Sequence, residues 1–216
     1  MTRPDPAVLA ETDGRSTRWE SHREQRRAQL CRAARKAVHH GGPELSMDEM
    51  AAAMGTSKSI VYRYFTDKSG LQAAVGQDVL DEIADALEQA SRQVGSAQER
   101  MRAMVEIYVG TLTASANVYR FVTSEQGSSL STFLTTVTEA VAVPLRELLE
   151  PADPDGSVAR LWASGVVGFV RGAGENWLET PARRRPSAAD MVDLLSGWLW
   201  RGAIATSRIR NQGGHP

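Results

Sequence analysis

Cysteine is nearly absent from this 216-residue chain. Cys31 stands alone, which excludes an intrachain disulfide and any metal site built on a thiolate cluster. Its place near an apolar stripe reads as a structural thiol. No apolar run reaches the ~20 residues that a spanning helix needs, so no membrane partner is expected. The stretch MTRPDPAVLAETDGRS holds prolines and acids and lacks the apolar segment of a secretory signal, so the cytoplasm is the expected location. Alternating Val/Ile/Thr runs of strand length are missing too. So are a Ser/His/Asp set, a phosphate-binding glycine loop and spaced metal ligands. His39 and His40 are sequence neighbours whose side chains point about 100° apart on a helix, a poor metal geometry. No catalytic residue, metal or cofactor is expected, and the chain does not read as an enzyme.

Helix punctuation is what the chain does contain. A first helix runs from Arg18 to His40, with Leu30, Ala34 and Val38 on one stripe, and Gly41-Gly42-Pro43 ends it. Ser46 and Glu49 make a capping-box pair that opens a second helix ending at Gly55. A third, short helix covers Ser57–Phe65. A long fourth follows Asp67, with Val75, Val79, Ile83 and Leu87 at steps of four. Five more are expected at about 98–114, 117–124, 128–150, 157–179 and 187–208, with Pro144 kinking the third of these. The expected fold is all-α with about nine helices. Residues 1–17 read as a disordered tail, 18–70 as a helix-turn-helix head, 71–208 as a helical body and 209–216 as a flexible tail.

Net charge is −1, but it is unevenly spread. Between Arg15 and Lys36 eight Lys/Arg face two Glu, while residues 73–216 carry 13 basic and 17 acidic side chains. A basic front on an acidic body permits nucleic-acid binding by the front alone; a solvated basic helix is the alternative.

The second and third helices have the lengths and the tight glycine turn of a helix-turn-helix. On the short helix, Val61 and Phe65 are i,i+4 neighbours that make a narrow core face, while Ser59, Ile60 and Arg63 point away. Tyr62 and Tyr64 bracket that outer arc. Lys58 and Ser59 near the helix start suit base edges, and tyrosine hydroxyls suit phosphates at the groove rims. The competing reading packs one tyrosine on the first helix and leaves the other idle.

The run S-K-x-x-V-Y-x-Y-F-x-x-K-x-x-L from Ser57 to Leu71, preceded by Leu30, Ala33-Ala34, Ser46 and Met50-Ala51, resembles the DNA-binding head of the TetR family of bacterial transcriptional regulators. The resemblance is close over residues 26–75 and architectural elsewhere. It implies that the third helix is the recognition helix, with Lys58, Ser59 and Ile60 at base-reading positions beside its opening Ser57. It places Tyr62, Tyr64 and Lys68 on phosphates or groove edges. Ser46 matches a hydroxyl that meets phosphate, although capping alone also explains it. Met54-Gly55-Thr56 departs from the more apolar Ala-Gly-Val turn of the family.

The family also implies a homodimer on a roughly palindromic duplex operator, joined through the last two long helices. Gly165, Gly168 and Gly172, with Leu195, Trp198, Leu199 and Gly202, form a candidate interface; an intrachain core is the alternative. A hydrophobic small-molecule effector is implied inside the body. Its candidate lining is Met101, Met104, Tyr108, Phe121 and Phe133, together with Val137, Trp162, Val166, Phe169 and Trp177, each of which also reads as plain core. The stretch GFVRGAGENWLET is similar to that of members sensing acyl-CoA or fatty acids. The expected activity is ligand-released repression. A regulator without ligand control or an activator is one competitor, and a helical enzyme or sequestering protein is another.

Overall fold

A computed structural model of the chain describes residues 6–124, 128–150 and 153–212, with side chains over 19–124, 130–150 and 153–202. Among the described residues there are nine helices and no strand. They are α1 (Pro6–Gly41), α2 (Met47–Ala53), α3 (Lys58–Tyr64), α4 (Lys68–Ser91) and α5 (Ala97–Ala114). Then follow α6 (Ala116–Thr123), α7 (Ser128–Leu149), α8 (Ser157–Glu179) and α9 (Ala188–Gln212).

Two boundaries differ from expectation. α1 begins at Pro6 rather than Arg18. Proline at the first helical position gives up an N–H that would be unpaired there anyway, and Ala7, Leu9, Ala10 and Glu11 are good helix formers. α9 continues to Gln212, past the expected end at Arg208. The outer parts of the two expected tails, 1–5 and 213–216, lie outside the described residues.

The chain divides into two compact units, Met1–Val75 and Gly76–Pro216, with the division inside α4 rather than at residue 70. In the first unit the α1 stripe (Leu30, Ala34, Val38) is buried, as are Met50 of α2, Val61 of α3, Phe65 and Leu71. Each large aliphatic chain so buried contributes roughly 2 kcal/mol. Gly42 stops α1 with a φ of 97°, and its N–H still reaches the Val38 carbonyl at 2.9 Å.

In the second unit α7 packs along α8, and α5 against α9 and α7. Ala159 and Ala163 of α8 are fully buried, as is Ala142 of α7. Capping boxes open α5 (Ser96 and Glu99) and α9 (Ser187 and Asp190, with the Asp190 N–H donating to Ser187 Oγ at 3.1 Å). The N-terminus of α8 lacks a box. Buried Asp153 accepts its Val158 and Ala159 N–H groups at 3.1 and 2.8 Å instead. At the other end Arg185 donates to the Leu178 carbonyl at 2.6 Å and the Thr180 carbonyl at 3.0 Å, and lies over the Trp177 ring. Arg185, in the connection before α9, therefore caps the end of α8.

Candidate nucleic-acid interface

The turn between α2 and α3 is rigid for local reasons. Gly55 has a φ of 66°, and the N–H groups of Gly55 and Thr56 bond the carbonyls of Ala52 and Ala51, both at 3.0 Å. That pair of bonds is a Schellman motif. Thr56 is half-buried, so the polar residue in this turn is accommodated by its backbone bond. Ser57 then caps α3 by accepting the Ile60 N–H at 3.3 Å.

Ser46 is taken up by its box. Its Oγ accepts the Glu49 N–H at 3.3 Å and donates to Glu49 Oε2 at 2.7 Å. Hydrogen bonds from the Ser46 hydroxyl and N–H hold the Glu49 carboxyl below its usual range, with Lys68 adding to the effect. Ser46 and Ser57, both expected at the DNA, also serve as caps; their hydroxyls position α2 and α3.

The outer side of α3 stays exposed: Lys58, Ser59, Ile60, Tyr62 and Arg63 all face solvent. The two tyrosines are not equivalent, because Tyr62 is 43% exposed while Tyr64 is half-buried, as is Lys68. Sequence reasoning missed Asp48. Its carboxylate accepts from Lys58 Nζ at 2.9 Å and raises the lysine pKa, while Lys58 also lies 5.9 Å from the Tyr62 ring centroid. Both partners of this ion pair are largely exposed, so its value is steric more than energetic: it parks a cation over the exposed face. An i,i+10 pair across a turn has no periodic signature in sequence.

The body redistributes the expected pocket residues. Met101, Met104, Val137 and Trp177 belong to one buried cluster, against which Tyr108, Phe133 and Val166 are partly buried. Phe121 is fully buried. Trp162 and Phe169 instead lie on the outer face of α8, with Leu161 at 72% exposure. Phe169 stacks on Trp198 of α9 at 4.3 Å. Gly165, Gly168 and Gly172 share this outer side, and a Cβ on any of them would meet nothing within 4 Å. Of the expected interface residues, Leu195 and Leu199 face inward and join the core, because α9 uses that side against α5. Trp198 is the expected one that faces out, beside Leu194, which was not expected, and Gly202 is half-buried.

A groove of ≈ 640 Å³ runs between α7 and α8, and none of the ten expected pocket residues lines it. Leu130 and Leu134 line it beside Thr135, Thr138, Arg160 and Arg171. Arg171 also pairs with Glu175 at 2.8 Å, and Glu175 accepts from the Tyr119 hydroxyl at 3.3 Å. Tyr119 and Tyr108 hydroxyls meet at 3.2 Å. Burial pushes both phenols above their usual pKa, so they act as neutral hydroxyls. Single aromatic and charged residues on three helices gave no spacing from which this cluster was readable.

Comparison with known proteins follows the same two-part division. Residues 30–75 match the family described as bacterial regulatory proteins, tetR family, and residues 82–215 match the tetracyclin repressor-like C-terminal domain. The chain is 34% identical to an uncharacterized HTH-type transcriptional regulator of Mycobacterium tuberculosis, over 90% of this chain and 84% of that protein. It is 29% identical to the HTH-type transcriptional activator FasR of Mycolicibacterium smegmatis, over 83% and 84% of the two chains. In fold it is similar to FadR of Bacillus subtilis solved in complex with stearoyl-CoA, with a TM-score of 0.66, 14% identity, and 80% and 96% of the chains covered. A Schellman-locked pair of capped helices with an exposed cationic face, followed by an all-helical body that matches along its length, places this chain in the TetR family of helix-turn-helix transcriptional regulators.

Proposed function

We propose that the protein is a dimeric transcriptional repressor that occupies a palindromic operator and is released by a hydrophobic effector. The observation that carries DNA recognition is the exposed Lys58-Ser59-Ile60 edge of α3, held by the α2 and α3 caps. Two such edges spaced about one helical turn, ~35 Å, would read successive major grooves. Dimerisation is supported by the outer face of α8 and α9: exposed Leu161, Trp162, Phe169, Leu194 and Trp198 around three open glycines. That apolar, self-complementary surface suits a two-fold contact. The effector class is supported by the stearoyl-CoA complex of the structurally similar FadR. An effector acts by binding the DNA-competent and incompetent states unequally. Activation is the second reading, favoured by the relative named activator FasR. A mobility shift against the DNA upstream of its own gene, with and without stearoyl-CoA, tests the whole. Absence of a specific shift at low salt would sink the regulator reading, and a reporter strain separates repression from activation.

Roles within the interface are separable. Lys68→Ala should weaken binding to every duplex alike and reduce the salt slope by about 1 per protomer, whereas Tyr62→Ala, which removes an uncharged donor, should weaken every duplex alike and leave the slope unchanged. Changes at Lys58 or Ser59 should alter the preferred base, at about 1–3 kcal/mol per lost contact. If Tyr62→Ala shifted the preferred base instead of weakening all duplexes alike, its assignment to the phosphates would be wrong.

Asp48→Asn removes the carboxylate that holds Lys58. Affinity for all duplexes is expected to rise several-fold, because a negative charge leaves the phosphate-facing side. Titration over salt concentration measures this; unchanged affinity would mean that Asp48 lies away from the phosphate-facing side.

A further inference from the structure

The part of α1 that precedes the head core is exposed on every side from residue 19 to residue 27. Two of its arginines nonetheless share one stripe with its tryptophan. At about 100° per residue, Trp19, Arg23 and Arg26 fall on the stripe that Leu30 continues into the buried core, with Arg27 at its border. Ser21, Glu24 and Gln25 face away, and Glu20 flanks the stripe. Trp19 is 63% exposed, an unusual place for the largest side chain of a monomeric surface.

Arg27 shows where the stripe leads. Its guanidinium lies 5.3 Å from the Phe65 ring centroid. Phe65 caps the end of α3, three residues before Lys68 opens α4. The outward continuation of the stripe therefore leaves the first unit at the α3–α4 junction. Lys68 belongs to that junction, and its charge is felt at Glu49. Arg23 and Arg26 extend the same cationic track by one helical turn. Guanidinium groups match phosphate oxygens bidentately, and an exposed indole beside them can pack on a sugar edge.

We propose that the Trp19–Arg23–Arg26 stripe of α1 is a second DNA-binding surface, which grips backbone phosphates outside the base pairs read by α3. It rests on the reading of this protein as a DNA-binding regulator. The contact carries no base information, so it adds affinity and residence without changing operator choice.

The test is Arg23→Ala/Arg26→Ala in the full chain, titrated from ~50 to ~200 mM salt on an operator duplex with long flanks and on an unrelated duplex. The salt slope is expected to fall by about 3–4 per dimer, at about 0.9 per phosphate contact. Affinity should fall at least about 10-fold on both duplexes, so their ratio stays constant. Ethylation interference should lose flanking phosphates and keep those beside the half-sites. Trp19→Ala should give a smaller loss of the same kind, and Glu24→Gln no loss. These positions are exposed, so circular dichroism should show an unchanged fold. Specific binding by the wild type with an unaltered slope and interference pattern in the double variant overturns the stripe and leaves the regulator reading intact. Binding of the wild type to phosphatidylglycerol vesicles, lost in the variant while the DNA slope stays, overturns it in favour of a membrane surface. A wild type that binds no duplex at low salt takes down both readings.

Discussion

Gly168→Arg on α8 is expected to yield folded monomers whose operator affinity is lower by about 100-fold or more. The site is open: a Cβ at Gly168 would meet nothing within 4 Å, so the single chain tolerates the side chain. In a two-fold contact the same patch is used by both protomers, so each interface receives two arginines in an apolar setting. Loss of the dimer turns the second half-site from an intramolecular into a bimolecular contact, which removes an avidity factor of about 100 to 10,000. Sedimentation and a mobility shift on the full operator measure the two effects. Gly110→Arg is the matched control, since Gly110 is equally open and belongs to α5. A dimeric Gly168→Arg protein with intact operator binding would exclude the α8 face as the interface.

Gly174→Ala, six residues along the same helix, is expected to act in the opposite way: it should damage the monomer. Its Cβ would lie 2.5 Å from Tyr108 Oη, 2.6 Å from Tyr108 Cε1 and 2.8 Å from Leu112 Cδ1. Alanine gains up to ~1 kcal/mol over glycine in a helix interior. Overpacking of a well-filled site costs about 1–3 kcal/mol. Displacing Tyr108 also breaks its hydrogen bonds to Tyr119 and to the Arg171 carbonyl, each worth about 1 kcal/mol. The net loss should be about 2–4 kcal/mol, or a melting point lower by several degrees for a unit of this size. Gly172→Ala has no neighbour to meet and should raise the melting point of the monomer. Calorimetry of the two variants decides: a Gly174→Ala protein that melts at or above the wild type would mean that α5 and α8 are less closely packed.

These glycines show how far periodicity reaches. Spacing alone marks Gly165, Gly168 and Gly172 as exceptional in a helix, because each forgoes helix propensity for some reason. It does not separate the three that open outward from the one on which Tyr108 rests, since that depends on where α5 lies. Leu194 and Leu195 make the same point. Adjacent leucines are interchangeable in composition, yet one is 61% exposed and the other joins the core. The head was more legible than the body. Its helices are short, its caps are local, and each function-bearing side chain sits close in sequence to the cap or turn that places it.

Sequence by itself determined the all-helical fold, the capped turn between α2 and α3, and the outward arc of Lys58, Ser59 and Ile60. All of these follow from interactions within one helix or one turn, where spacing in the chain is spacing in space. Tertiary structure alone decided the Asp48–Lys58 pair, the tyrosine–glutamate–arginine cluster, the Arg185 cap and which aromatics of α8 face out. Those depend on helices far apart in sequence meeting at particular rotations, and a hydrophobic period constrains the face a helix buries but not the neighbour it meets there.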